Sequence, residues 1–265
     1  MSKVPVGFGL PNEWEAFINE NQLLIQKLQI LFGTLNTVFV RKNNRTEPVD
    51  RVVFYLGRLC AEDLMEILLL CGNGYGLGAF KLLRSMYEKA VTAAYISKNP
   101  AKAELFLDYH HIQQWKSLKH FKDGMSEEEL RAYFTDAQVK GFEQAAENVK
   151  DKFPNRMSWS NLNTLEMAKA AGNGFKDLYY LAYFLPTQQI HSTPVALIER
   201  LALTDDGAMD FNSGSQPEMA GQVMITAHNV ILLVIDTQNE YFGLKLDDEL
   251  NQLAADFQTV WKKNE

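Results

Sequence analysis

Two motifs of identical spacing place charged side chains on neighbouring predicted helices. Arg58 and Glu62 stand four residues apart, and so do Arg84 and Glu88. When two such helices fold into a tight hairpin, Glu62 falls opposite the turn that carries Arg84 and Glu88. A guanidinium and two carboxylates can then gather at one level, which makes a candidate site. The alternative is a pair of ordinary i,i+4 ion pairs on helix surfaces, each contributing only a few tenths of a kcal/mol.

The histidines supply further candidates for proton transfer or metal binding. His191 lies in a polar loop after an aromatic helix, where solvent reaches the imidazole, so it is a candidate general acid or base. Its alternative role is to cap the last carbonyls of that helix. Asp108 and His111 have the one-turn spacing of metal ligands in helical bundles. The chain offers no second pair with Glu, so we expect neither a metal nor a cofactor. His228 has helical spacing to apolar residues and is expected to lie in the core.

The two cysteines are predicted to remain free thiols. Cys60 and Cys71 are 11 residues apart in one predicted helix, so their Cα atoms lie about 16 Å from each other. A disulfide requires about 7 Å or less. Both residues stand among Leu, Ile and Met, where a thiol behaves as a small apolar group. We therefore expect a reduced, cytoplasmic protein.

Composition narrows the classes of partner. The 265-residue chain has 26 Lys and Arg against 33 Asp and Glu, a formal charge of −7 and a pI near 5.4. Binding of duplex DNA along a general basic face needs the opposite balance. The apolar runs at residues 178–185 and 230–235 are far shorter than the roughly 18 residues of a membrane span. We expect no duplex DNA partner and no membrane segment.

Helical periodicity over most of the chain positions these residues in one all-α domain, residues 1–265. Two long helices, residues 46–71 and 76–97, form a central antiparallel hairpin enclosed by a multi-helix bundle, and an apolar stripe on each is expected to face the other. Single helices are predicted for residues 11–41, 126–151 and 217–242, and Ser126 with Glu129 forms a capping box at the start of the second. Alternating apolar residues about an Asp-Gly turn predict a small β-hairpin insertion near residues 197–212.

The order of several short motifs over residues 51–201 resembles a family of bacterial helical domains of unknown function. These motifs are Leu82-Leu83-Arg84-Ser85-x-x-Glu88, Trp159-Ser160, Met167-Ala168-x-x-x-Gly172, Tyr180-x-x-Tyr183 and His191-Ser192. That family is in turn similar to the HEPN superfamily of helical bundles, many of which are dimeric toxin or defence ribonucleases that need no metal. The chain departs from the usual HEPN pattern, because no His follows Arg84 at the expected four to six residues.

The resemblance implies a metal-independent ribonuclease that acts on RNA or a nucleotide. In this hypothesis Arg84 holds the phosphate, His191 is the general acid or base and Glu88 orients one of them. The candidate binding residues are Glu62, Tyr87, Tyr180 and Tyr183. A homodimer is expected.

A second hypothesis, from a different class, is a non-catalytic interaction module. Its aromatic faces, Tyr179, Tyr183 and Phe184 or Phe32 and Phe39, would form a homodimer or dock a partner.

Overall fold

The fold was taken from a computed structural model, which describes residues 11–42, 44–154, 157–190, 193–198, 201–203, 209–211 and 217–262. Nearly all of these residues are helical, which confirms the all-α prediction. The helices are α1 (Pro11–Glu20), α2 (Gln22–Phe39), α3 (Pro48–Gly72), α4 (Gly76–Lys98), α5 (Lys102–Gly124), α6 (Glu127–Tyr133), α7 (Asp136–Val149), α8 (Thr164–Ala171), α9 (Asn173–Tyr179), α10 (Leu185–Ile190), α11 (Pro194–Ile198), α12 (Pro217–Phe242) and α13 (Asp247–Trp261). A 3₁₀ turn (Lys150–Lys152) follows α7, and a π-helical turn (Tyr180–Phe184) joins α9 to α10. Strands β1 (Leu201–Leu203) and β2 (Met209–Phe211) pair antiparallel.

Helices α3 and α4 pack against each other in opposite directions across a short turn. Gly74 in that turn has φ 78°, a left-handed conformation that glycine adopts without strain. The apolar stripe expected between the two helices is buried except for half-buried Leu56. Its members are Val53, Cys60, Leu64, Ile67 and Cys71 on α3, and Ala79, Leu83, Met86, Ala90 and Ala94 on α4. Both cysteines are free and buried, as predicted.

Helix α12 packs across both α3 and α4. Gln238 is fully buried and donates from Nε2 to the carbonyl of Val53 at 2.7 Å. Gly57 makes this approach possible, because a Cβ added there would lie 2.5 Å from Gln238 Nε2. The segment Met219–Phe242 is long and apolar enough to span a membrane, and 56% of its most apolar window is buried within the protein. Core helices pass the same test, so this feature is weak evidence for a membrane.

A continuous segment formed by α8, α9 and the π-helical turn runs along α4 in the opposite direction. At its start, the side chain of Lys98, at the end of α4, caps the last turn of α8. At its end, the π-helical turn reaches the middle of α4. The contacts, in order, join Lys98 to Ala171, Tyr87 to Phe175 and Arg84 to Tyr183. This segment therefore places aromatic side chains over Arg84.

Two helices predicted as single are each divided in the structure. Residues 11–41 form α1 and α2, which separate at Asn21, whose side chain bonds to the carbonyl of Phe17 at 2.9 Å. Residues 126–151 form α6 and α7. The second begins at Thr135, which exchanges capping bonds with Gln138 at 3.2 and 2.9 Å. Polar side chains that bond to nearby backbone interrupt a helix even where the apolar period continues.

Candidate functional site

Arg84 lies in the middle of α4, with its guanidinium held by two neighbours. Nη2 donates to Glu88 Oε1 at 3.1 Å and to Tyr183 Oη at 3.2 Å. The guanidinium carbon also lies 4.8 Å from the centroid of the Tyr183 ring, a cation–π contact. The Arg84 side chain is 21% exposed and that of Glu88 is 42% exposed. The cation is therefore fixed against an aromatic wall, with one edge open to solvent.

One donor of this guanidinium has no partner. Arg84 Nε is buried and makes no hydrogen bond within the part of the chain that the structure describes. An unsatisfied buried donor costs about 1–3 kcal/mol. The exposed 21% of the Arg84 side chain gives an oxyanion access to the guanidinium, whose geometry suits phosphate.

The surroundings of Arg84 favour the charged form of its guanidinium. Burial acts to lower the pKa of the guanidinium, but the Tyr183 hydroxyl and the Glu88 carboxylate raise it by more, and the net pKa is raised. The group is therefore a permanent cation and cannot act as the proton donor or acceptor of a reaction. Binding charge is the role that its chemistry allows.

Behind Arg84, three tyrosines pack together. Tyr87 is fully buried and donates to the carbonyl of Phe175 at 2.6 Å, and its ring centroid lies 6.3 Å from that of Tyr183. Tyr183 stacks on Tyr179 at 5.2 Å. Burial and the neighbouring Tyr179 raise the pKa of Tyr87. Tyr87 was predicted as a binding residue, but its hydroxyl is already bonded to the Phe175 carbonyl. Its ring packs against Tyr183 and so supports the aromatic side chain that contacts Arg84.

Tyr180 and Phe184 form a second aromatic pair that faces solvent. Their rings are stacked with centroids 5.6 Å apart and planes 19° apart. Tyr180 is 55% exposed and Phe184 44% exposed. This pair, hereafter the aromatic platform, belongs to the same π-helical turn as Tyr183.

The π-helical turn itself was not predicted from the sequence. The N–H of Leu185 bonds to the carbonyl of Tyr180, five residues back, and the hydroxyl of Thr187 donates to the carbonyl of Tyr183 at 2.6 Å. Pro186 follows at once and lacks an N–H, and its ring would crowd the preceding turn of a regular helix. This proline was the available sequence signal. Single π turns inside helices often occur at functional sites.

A different carboxylate from the one expected links α3 to α4. Glu62 is on the exposed face of α3, where it pairs with Arg58 at 3.5 Å, and the described contacts of Arg84 do not include it. Asp63, one residue later, is buried and contacts Lys89 at 2.6 Å. One residue turns a helix by about 100°, which is enough to exchange the buried and exposed faces. Burial raises the pKa of Asp63, against the opposing effect of Lys89.

The histidine candidates divide into three cases. His191 lies outside the described residues, immediately after the end of α10. Asp108 pairs with Lys152 at 2.5 Å, and no group of three His, Cys, Asp or Glu suited to a metal occurs among the residues described. His228 is buried, as predicted.

Comparison with known protein families assigns the chain to one of them. The sequence profile of the family of unknown function DUF5677 matches residues 50–209. This is more than half of the chain, so the protein belongs to that family, and the motifs that suggested a family of unknown function all fall inside the matched span. No curated protein and no solved structure matches the chain.

Proposed function

We propose that the protein is a HEPN-like ribonuclease of a defence or toxin system, which cleaves single-stranded RNA without a metal. The observation that carries the proposal is the Arg84 guanidinium, held by Glu88 and Tyr183 with Nε unpartnered. A phosphate is the ligand that such a fixed, partly open guanidinium fits best.

Cleavage through the 2′-hydroxyl needs three groups. A base takes the hydroxyl proton, an acid protonates the leaving oxygen and a cation stabilises the charge that develops on the phosphate. Arg84 supplies the cation, His191 is the proposed general acid or base, and water takes the other proton-transfer role. Glu88 acts as a positioning residue, because its contact is with Arg84.

The aromatic platform supports single-stranded RNA as the substrate class. Unpaired bases stack on exposed aromatic rings, and each such contact contributes about 1–3 kcal/mol. Tyr180 and Phe184 offer such rings within the same turn as Tyr183. The formal charge of −7 disfavours a long electrostatic footprint, so the proposed substrate is a short single-stranded segment or a nucleotide.

The proposal extends to architecture, assembly and location. We take the α3–α4 pair as the centre of the bundle and the two short strands as a peripheral insertion. A cytoplasmic homodimer is proposed, formed through exposed apolar side chains outside the aromatic platform. These are Leu181, Ile190, Val195, Leu197 and Ile198.

The same exposed apolar side chains favour the second candidate, a non-catalytic interaction module. Large exposed apolar patches mark interfaces in soluble proteins. In that case the Arg84–Glu88 pair would contribute only to stability.

A cleavage assay distinguishes the ribonuclease from the interaction module. Purified protein is incubated with fluorescein-labelled single-stranded RNA, with and without a chelator, beside Arg84→Ala, His191→Ala and Arg58→Ala, each first checked by thermal melting. Arg58 is the matched control, because it forms the same i,i+4 pair with Glu62 on an exposed face. We expect cleavage by the native protein and by Arg58→Ala, and a loss of about 100-fold or more in the Arg84 variant. His191→Ala is expected to be similarly impaired.

Other outcomes have definite meanings. An inactive native protein, or equal cleavage by all variants, contradicts the ribonuclease and leaves the interaction module. Activity that disappears with chelator points to a metal at Asp108 and His111 and contradicts the metal-independent route.

A further inference from the structure

A small cavity lies between the end of α4, the start of α5 and the loop that precedes α8. Its volume is about 210 Å³. Aromatic side chains form its inner wall: Tyr95 and Phe153 are buried and Trp159 is half-buried. Two exposed lysines, Lys102 and Lys152, stand at its edge.

The aromatic wall is held in place by further rings. Trp159 meets the Phe106 ring edge-on with centroids 5.2 Å apart, and it lies 6.1 Å from Tyr95. Phe153 meets Tyr109 edge-on at 5.2 Å. Because each ring is fixed by a neighbour, the cavity is formed before any ligand enters, and little conformational entropy is lost on binding.

The charged side chains that line the cavity are lysines. Among the residues that the structure describes, the lining includes Lys102 and Lys152 and no Asp or Glu. The charge of Lys152 is balanced by its ion pair with Asp108, whereas Lys102 makes no ion pair with any described residue. Lys102 is therefore the cation that an anionic group at the mouth would meet.

We propose that this cavity binds a small planar aromatic anion. The aromatic wall takes the ring of the ligand and Lys102 takes its charge. The volume holds one ring system, such as a nucleobase or an indole. Nucleoside monophosphates and aromatic carboxylates share this chemistry, and the two sources are separated by experiment.

The cavity is distinct from the Arg84 cluster. Tyr95 follows Arg84 by 11 residues on α4, which corresponds to about 16 Å along the helix. The segment from α8 to the π-helical turn occupies the space along α4 between them. The proposal therefore stands whether or not the protein cleaves RNA.

Calorimetric titration tests the proposal with four probes: adenosine 5′-monophosphate, indole-3-acetate, adenosine and inorganic phosphate. We expect at least one of the two aromatic anions to bind. Neutral adenosine and ring-free phosphate should each bind about fivefold or more weakly than the aromatic anion. Binding of only the monophosphate or only the carboxylate identifies the source, and either result supports the proposal.

Variants locate the binding site. Lys102→Met should weaken binding of the probe about fivefold, whereas Lys140→Met, at an exposed lysine on α7, should leave its affinity unchanged. Trp159→Phe keeps an aromatic wall and should retain measurable but weaker binding. No binding of either aromatic anion up to about 2 mM, or equal loss in the two lysine variants, would overturn the proposal.

Discussion

The hydroxyl of Tyr87 donates a 2.6 Å hydrogen bond to the carbonyl oxygen of Phe175. This bond joins residues 88 positions apart and fixes α9 over α4. The Tyr87 ring also lies behind Tyr183, which contacts Arg84. A buried side chain that touches no solvent thereby helps to position a cation whose side chain is only 21% exposed.

Replacing Tyr87 by Phe should test this connection. The ring and its packing are kept, and the lost hydrogen bond should lower the free energy of unfolding by about 1 kcal/mol. Denaturant unfolding followed by circular dichroism measures the change. Tyr180→Phe is the control and should be within about 0.5 kcal/mol of the native protein, because this residue is more than half exposed. Equal stability of all three proteins would show that the Tyr87 bond contributes nothing.

The sequence was most informative where a whole element had one clear period and clear ends. The prediction of a helix over residues 217–242 matches α12, and the capping box of Ser126 and Glu129 is present at the start of α6. The choice between Glu62 and Asp63 could also have been made from periodicity. Asp63 stands three residues after Cys60 and four before Ile67 and therefore shares their buried face, whereas Glu62 lies on the opposite side of the helix.

The remaining features of the site depend on tertiary contacts that no local pattern encodes. The bond from Tyr87 to Phe175 and the contact from Arg84 to Tyr183 join residues 88 and 99 positions apart. Sequence reasoning selected Arg84, Glu88 and Tyr183 as candidates, and the structure brings these three together. The orphaned Nε of Arg84 could be found only from the structure.

Because α12 approaches α3 closely at Gly57, replacing this helical glycine by alanine should destabilise the protein, although the same change usually stabilises a helix. Gly57→Ala should destabilise the protein by about 1 kcal/mol or more, since the new methyl group would displace the buried Gln238 amide from Val53. Gly141→Ala, in the exposed interior of α7 with open space around it, should instead stabilise by about 0.5–1 kcal/mol. Thermal melting of both variants measures the contrast. The packing argument fails if Gly57→Ala is also stabilising.

The buried imidazole of His228 predicts a loss of stability in acid. Trp261 Nε1 donates to His228 Nδ1 at 3.2 Å, and the Phe257 ring packs edge-on at 5.0 Å. Burial lowers the pKa of His228 to about 4, despite the opposing charge of Asp256. The folded state therefore binds this proton less readily than the unfolded chain, whose histidine pKa is about 6.5.

The sign of the pH effect follows from this difference. The contribution of His228 is fully present above about pH 6.5, decreases as the pH falls and is lost below about pH 4, with a total on the order of 3 kcal/mol. Urea unfolding at a series of pH values measures it. His228→Gln removes the titrating group and should show a flatter dependence over this range. Parallel curves for the two proteins would assign the acid sensitivity to other groups.

The aromatic platform gives the last prediction, which concerns substrate binding. Tyr180→Ala should weaken binding of single-stranded RNA about 5- to 100-fold, because one base loses its stacking partner. The melting temperature should change little, since the Tyr180 side chain is more than half exposed. Tyr133→Ala removes another tyrosine that is more than half exposed, on α6, and is the matched control. Fluorescence anisotropy of labelled RNA measures both affinities. If the two variants bind RNA as tightly as the native protein, the platform does not contact bases, and its exposed rings are better explained as part of a protein interface.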